Sequence, residues 1–201
     1  AKDRRQRQMC NRDRGYITFY AFSTENWSRP EEEVEGLLKL LKEFLVKEIR
    51  ELHSQNIFVN IIGSEERLDP AYLAEIRQIA AVTRHNTGLT VNMAFNYGGR
   101  TEIVDGIKNL FQQNADNPDA IRNLTPETFN QYLYTAGQPD PDLIIRTSGE
   151  SRISNFLLWQ GAYSEIYITD TLWPDFDKAA FIQAMINFQG RKRRFGGVQN
   201  L

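Results

Sequence analysis

The chain has 201 residues, a formal net charge of -2, 41% hydrophobic residues and one cysteine, Cys10. That length and apolar content can bury one sizeable core, so a single domain is expected over 1–201. The near-neutral charge gives no global argument for nucleic acid, a lone cysteine excludes an internal disulfide and suits a reducing cytoplasm, and no apolar stretch approaches bilayer-spanning length. The charged start AKDRRQRQ is not signal-like, so any membrane contact is expected to be peripheral.

In chain order, YITFYAF (16–22) is rich in aromatic and β-branched residues and reads as a strand. SRPEEEV then opens a long helix, with Ser28 offered as its cap and Glu31 to Glu33 at its positive end. Val34, Leu37, Leu38, Leu41, Phe44, Leu45, Ile49 and Leu52 follow at spacings of three and four, which predicts an amphipathic helix to about His53. IFVNIIG (57–63) is a second strand, Asp69 and Pro70 start a helix through about Thr83, and LTVNMAF (89–95) is a third strand. Arg100 to about Gln113 reads as helix, NADNPDAIRN (114–123) as a polar loop, and Thr125-Pro126-Glu127 as the cap of another helix. A strand from Asp142, another over Ser164 to Thr169 and a closing helix over Asp177 to Phe188 complete the chain. Strands alternating with helices predict an α/β fold with a mostly parallel central sheet flanked by helices. No internal repeat or low-complexity tract is present.

The richest stretch is DLIIRTSGESRISNFLLWQGAYSEIY (142–167), in which an apolar strand discharges into a loop crowded with anion-binding groups. Leu143, Ile144 and Ile145 predict a buried strand with Arg146 at its end, where ligands of open α/β sheets bind. Thr147, Ser148, Gly149, Arg152 and Ser154 follow, so the loop offers two forked guanidiniums, three hydroxyls and a glycine that permits close backbone approach. Two arginines can clamp a diphosphate where one lysine would only attract it. Glu165 adds a carboxylate suited to magnesium, which shares its oxygen ligands between protein and phosphate. For an isolated Arg-x5-Arg spacing, ordinary surface ion pairs of Arg146, Arg152 and Glu165 are the alternative.

A second constellation, YAFSTENWSRP (20–30), packs Ser23, Thr24, Glu25, Asn26, Trp27 and Arg29 into one strand-to-helix turn. Free backbone donors at a helix start and the charge of Arg29 suit an anion, while Ser23 and Asn26 are neutral groups able to position a substrate. Satisfying the turn itself is the commoner use of serine and asparagine. NYGGRTEIV (96–104) reads as a tight strand-to-helix turn at Gly98 and Gly99; the GxxxxGK[ST] and complete GxGxxG patterns are missing, so nucleotide binding is not indicated. The tail RKRRFGG (191–197) is a basic cluster. His53 and His85 form no metal-ligand spacing with Cys10 and read as structural or solvent-facing. There is no GxSxG elbow and no DDxxD-type aspartate pair.

Taken together, DLIIRTSGESRISNFLLWQ, the AYSE segment and Trp173-Pro174-Asp175-Phe176 resemble the signature of the undecaprenyl diphosphate synthase family of cis-prenyltransferases. YAFSTENWSRP and NYGGRTEIV match it as well, so the resemblance runs from Tyr16 to Gly197. It implies an enzyme that lengthens an allylic diphosphate, typically farnesyl diphosphate, by repeated cis addition of isopentenyl diphosphate with Mg2+. By that resemblance Arg146, Arg152 and Ser154, with Ile153 between them, hold isopentenyl diphosphate, and Glu165 contributes to the magnesium site. Asn26 and Ser23 are the catalytic candidates, and Ser23, Thr24, Glu25, Trp27 and Arg29 the substrate-binding ones. An amide is a poor base, so Asn26 is expected to orient a proton acceptor rather than act as one. Arg193 and Arg194 lie in a tail expected near a dimer interface, assisting the neighbouring site. A dry tunnel for the growing chain could be lined by the 34–52 helix and the strands around Ala21, Ile57 and Leu89, positions that core packing explains equally well.

The family's N-terminal IMDGNGRWA-like strand and phosphate loop, with its magnesium-binding aspartate, is not present in this sequence. AKDRRQRQMCNRDRG therefore reads as two ordered pieces joined, with a seam between Arg5 and Asn11. The resemblance also implies a cytoplasmic homodimer, possible membrane association and an undecaprenyl carrier as product. Two other readings stand beside it: a noncatalytic prenyltransferase-like subunit that binds an isoprenoid diphosphate or a catalytic partner, and a phosphate-binding α/β protein unrelated to isoprenoids.

Overall fold

Aromatic and β-branched residues between Tyr16 and Ser23 form the first strand, β1, of a computed structural model that describes residues 15–191. Helix α1 (Glu31–Ser54), strand β2 (Phe58–Ile62), helix α2 (Pro70–Ala80), strand β3 (Thr90–Tyr97) and helix α3 (Gly99–Gln113) follow. Two short helices, α4 (Pro118–Arg122) and α5 (Pro126–Phe129), come next. Strand β4 (Leu143–Arg146), strand β5 (Glu165–Ile168) and helix α6 (Lys178–Gln189) end the described chain. The chain gathers into two compact units divided after Gln138. Among the described residues every strand pairing is parallel, in the first unit as the alternation of strands and helices leads one to expect.

In the first unit the strand order is β1-β3-β2, and β3 is buried along its whole length. Val91, Met93 and Phe95 of β3 share a core with Phe22, Val59 and the Val34, Leu41, Leu45 and Ile49 stripe of α1. Residues of the other parity form a polar row across the strands, since Thr18, Asn92 and Asn60 stand in register. Asn92 donates to Thr18 Oγ1 at 3.2 Å, and Asn60 donates to Asn92 Oδ1 at 3.0 Å. The Gln138 amide closes the row, accepting from Asn92 at 2.6 Å and donating back at 3.1 Å. Such a row satisfies buried amides and specifies register, because a one-residue slip would break every bond in it.

Several local expectations hold and others change. Asp69 caps α2 by accepting from Tyr72 N at 2.9 Å, and Asp177 caps α6 by accepting from Ala180 N at 2.9 Å. Ser28 does not cap α1: it ends a 3-10 turn over Thr24–Ser28, its hydroxyl donates to Glu25 O, and Pro30 holds the cap position. The polar 114–123 segment is not wholly loop, because Pro118 supplies the preset φ of a first helical residue and α4 forms behind it. Ile57 and Leu89 pack against the core as half-buried residues, whereas Ala21 is exposed on β1. Among the described residues no helix is long and apolar enough to cross a membrane.

Among the described residues of the second unit β4 pairs with β5 alone, from Leu143 opposite Glu165 to Arg146 opposite Ile168. Ile144 is buried, and Gly161 lies against it so closely that an added Cβ would stand 3.0 Å from Ile144 Cδ1. A large part of this unit's apolar surface faces outward: Tyr163, Ile166, Ile168, Trp173, Ile182 and Ile186 are all exposed.

Candidate functional site

Parallel strands deliver all their C-terminal ends to one edge of a sheet, and in the first unit Ser23, Ile62 and Tyr97 occupy those ends. The turn behind Ser23 is held by Asn26, whose Oδ1 accepts from Ser23 N at 2.7 Å and from Ser23 Oγ at 3.1 Å. The Asn26 carbonyl is thus committed to the turn, which leaves its amide hydrogens as donors and the Ser23 oxygen as an acceptor. Thr24 Oγ1 donates to Glu25 at 3.2 Å, and Arg29 pairs with Glu33 at 3.3 Å on an exposed helix start.

Trp27 anchors this turn. Its ring stands edge-on to Phe22, 5.3 Å between centroids, and its Nε1 donates to Asn96 Oδ1 at 2.6 Å. Asn96 is buried with a φ of 49° and spends its amide hydrogens on Ser64 O at 2.8 Å and Glu66 O at 2.7 Å. Its carbonyl accepts from Ser64 N at 3.1 Å. One side chain therefore ties the turn after β1 to the loop after β2. Gly63 lets that loop approach: its φ is 144° and an added Cβ would lie 1.8 Å from Phe95 O. Arg67, in the same loop, places its guanidinium carbon 4.8 Å from the centre of the Trp27 ring.

Beside this edge, Glu102 in the first turn of α3 is fully buried, accepting from the Tyr97 hydroxyl and from Tyr134 N at 2.9 Å. The Tyr134 hydroxyl donates to Asp105 at 2.5 Å, and burial, then Asp105, pushes its pKa far above the usual phenol range. This network clamps the segment around Tyr134 onto α3. A cleft of about 490 Å³ opens next to it, lined by Gly63, Glu65, Glu66, Asp105, Lys108 and Tyr134 among others. Its charges are mutually neutralised: Arg77 pairs with Glu65, and Lys108 with Glu66 and Asp105.

In the second unit the end of β4 gives Arg146, whose Nε is buried and without a hydrogen-bond partner. The loop behind it folds back on the segment after β5, with Ser148 N donating to Thr171 O and Gly149 N to Thr169 O, each at 2.9 Å. Ser148, Gly149, Ser154, Asn155 and Leu157 all have positive φ, a concentration of left-handed backbone that costs energy at every non-glycine position. Arg152 forms an exposed ion pair with Glu150, and Ile153 and Ser154 beside it are exposed. The expected loop members are thus contiguous. Glu165 is not at the same level: it opens β5 opposite Leu143, three residues short of Arg146, a separation of about 10 Å along the strands. Its carboxylate instead pairs with Arg191 at 2.8 Å. Among the described residues no three His, Cys, Asp or Glu gather into a metal-binding group. Arg193, Arg194 and the expected seam between Arg5 and Asn11 lie outside the described residues.

A parallel α/β protein with arginine- and hydroxyl-bearing loops at its strand ends has the form of a protein that binds phosphorylated ligands. The family model described as "Putative undecaprenyl diphosphate synthase" matches residues 6–196. The chain belongs to this family, the cis-prenyltransferases, which removes the reading of a phosphate-binding protein unrelated to isoprenoids. It is 51% identical to an isoprenyl transferase of Heliobacterium mobile over 92% of this chain and 71% of the relative, and 50% identical to one of Clostridium tetani over 91% and 72%. Among solved structures it resembles lavandulyl diphosphate synthase of Lavandula x intermedia in complex with dimethylallyl diphosphate, at a TM-score of 0.83 and 34% identity, covering 90% of this chain and 78% of that one. A structure described as a probable undecaprenyl diphosphate synthase from Campylobacter jejuni aligns at a TM-score of 0.79 and 33% identity, covering 90% and 83%.

Asn96 and Arg67 escape the sequence reading. Asn96 sits inside NYGG, where the glycines draw attention, and a single buried amide leaves no periodic signal. For Arg67 the available signal is Gly63, which ends the second predicted strand and marks a close backbone approach.

Proposed function

We propose that this prenyltransferase extends an allylic diphosphate, farnesyl diphosphate, by repeated cis condensation with isopentenyl diphosphate to give a long polyprenyl diphosphate such as undecaprenyl diphosphate. The observation that carries the proposal is Arg146, at a strand end with a buried, unpartnered Nε, heading a left-handed loop that also bears Arg152 and Ser154. In this reading Arg146, Arg152 and Ser154 grip the diphosphate of isopentenyl diphosphate, with Ile153 against its apolar part. Arg152 exchanges Glu150 for phosphate, an inexpensive exchange for an exposed pair.

Ser23 and Asn26, with Thr24, Glu25, Trp27 and Arg29 around them, face the reacting end of the allylic substrate. Asn26 offers N–H donors, because Ser23 occupies its carbonyl. Its task is to orient, and the proton lost after condensation passes to an acceptor it positions, not to the amide itself.

Magnesium belongs to the proposal as the counter-ion that eases departure of the diphosphate. Magnesium is commonly held by one or two carboxylates plus phosphate and water, so Glu165, once it gave up Arg191, would be the protein carboxylate that holds it. The exposed apolar side chains of the second unit support a homodimer. A cytoplasmic enzyme, with peripheral membrane contact where its long product leaves, completes the reading.

The test is magnesium-dependent incorporation of labelled isopentenyl diphosphate onto farnesyl diphosphate, with products resolved by length. Activity in the native chain that falls at least about a hundredfold in Arg146→Gln supports the proposal. A folded native chain that binds farnesyl diphosphate yet never incorporates label identifies the noncatalytic subunit instead.

A further inference from the structure

The geometry points to Arg67 as a further substrate-binding residue: a guanidinium held ready for the diphosphate of the allylic substrate at the Ser23–Asn26 turn. This rests on the proposed function for the identity of the anion, but its evidence is separate. Arg67 has a φ of 66°, a strained conformation for a non-glycine residue and one that its loop must enforce. The enforcement is visible on both sides of it. Asn96 binds the carbonyls of Ser64 and Glu66 just before it, and Leu68 just after it is buried in the core.

The same Asn96 accepts from Trp27, so one buried amide sets the positions of both the ring and the cation stacked on it at 4.8 Å. Stacking on an indole face fixes a guanidinium without consuming its hydrogen-bond donors, which project from the ring plane's edge toward whatever lies beyond.

The charges around Arg67 point the same way. Its two acidic neighbours in sequence are both engaged elsewhere, Glu65 by Arg77 and Glu66 by Lys108. Among the described residues no carboxylate pairs with Arg67 itself. An exposed arginine with a mobile side chain would be unremarkable, but this one is held in place, uncompensated, beyond the C-terminal ends of parallel strands, where phosphorylated ligands bind. A cation fixed in advance pays little ordering entropy when it meets a dianionic group, and a guanidinium fork can contact two phosphate oxygens at once.

The experiment compares the native chain with Arg67→Gln and Arg67→Lys, with Arg122→Gln as a control in an exposed pair far along the chain. Binding of farnesyl thiodiphosphate, an unreactive allylic analogue, is measured by calorimetry, and KM is measured for each substrate separately. The expected result is a Kd for the analogue raised roughly ten- to a hundredfold in Arg67→Gln, and raised less in Arg67→Lys, which keeps the charge but loses the fork. KM for isopentenyl diphosphate and the thermal midpoint should stay as in the native chain, a split that a merely structural role would not produce. Equal analogue binding in native and Arg67→Gln proteins overturns the inference while leaving the proposed function standing. A native chain that fails to bind the analogue overturns both. If Arg67→Gln does not fold, Arg67→Lys decides on the same readout.

Discussion

At the scale of single residues, Asn96 carries more connections than any catalytic candidate. It joins Trp27, Ser64 and Glu66 through three side-chain hydrogen bonds in a buried position. Truncation leaves buried partners unpaired, so Asn96→Ala should lose about 2–4 kcal/mol of stability, read as a lower urea midpoint at unchanged slope. Asn96→Asp should lose at least as much, since it keeps the acceptor for Trp27 but buries a charge. Asp140 behaves differently. Asp140 is exposed, and partial desolvation by its neighbours raises its carboxyl pKa above the usual range, so folding is slightly favoured below the unfolded pKa and that small advantage is lost as pH rises through the folded value. Asp140→Asn should therefore be more stable than the native chain at neutral pH, with the gap closing as both are titrated to acid. Denaturant midpoints across that range check the sign. Arg146, Arg152 and Ser154 stand out as candidates by their types and spacing, whereas Asn96 and Arg67 do not, because each matters through a partner more than twenty residues away in the chain.

At the scale of elements, boundaries followed local chemistry closely. Thr125 caps the helix it was expected to cap, and Asp69 and Asp177, expected at helix starts, turn out to cap theirs, since a short acceptor before an apolar-periodic run acts within three residues. Asp177→Ala should cost about 1 kcal/mol and fray the start of α6, where the Asp177 side chain accepts from Ala180 N. Ser28 failed as a cap for an equally local reason: its hydroxyl is drawn back to Glu25 O within a 3-10 turn that the sequence does not announce. The loop after β2 depends on a contact rather than on a propensity. Gly63→Ala would drive a Cβ into Phe95 O in a backbone region closed to L side chains, and should cost several kcal/mol, of the order of 3 or more, on a thermal melt. Because that loop carries Arg67, the same variant should also weaken binding of an allylic diphosphate, even below its melting temperature.

At the scale of the whole molecule, two units each build a parallel sheet, and the diphosphate-binding candidates are divided between them: Ser23 to Arg29 and Arg67 in the first, Arg146 to Ser154 in the second. The second unit exposes Ile166, Ile168, Ile182 and Ile186. If these form the interface of the proposed homodimer, Ile186→Lys should shift sedimentation from two chains toward one, with little change in the far-UV spectrum. An unchanged dimer would place the interface elsewhere.

The sequence by itself determined the class of fold, the order and nearly all the boundaries of the elements, and the family, because periodicity, caps and contiguous motifs are written within a few residues of one another. It also singled out the 146–154 loop as a candidate for binding an anion, since arginines, hydroxyls and glycine announce their chemistry wherever they lie. Only the tertiary structure decided which distant groups meet. The register of β4 against β5 sets Glu165 three residues away from the level of Arg146 and leaves it to Arg191. The parallel packing of β1, β3 and β2 brings Trp27, Asn96 and Arg67 to one edge. Such meetings depend on strand register and on loop approach at Gly63, quantities that arise when separate segments pack and that no local pattern encodes.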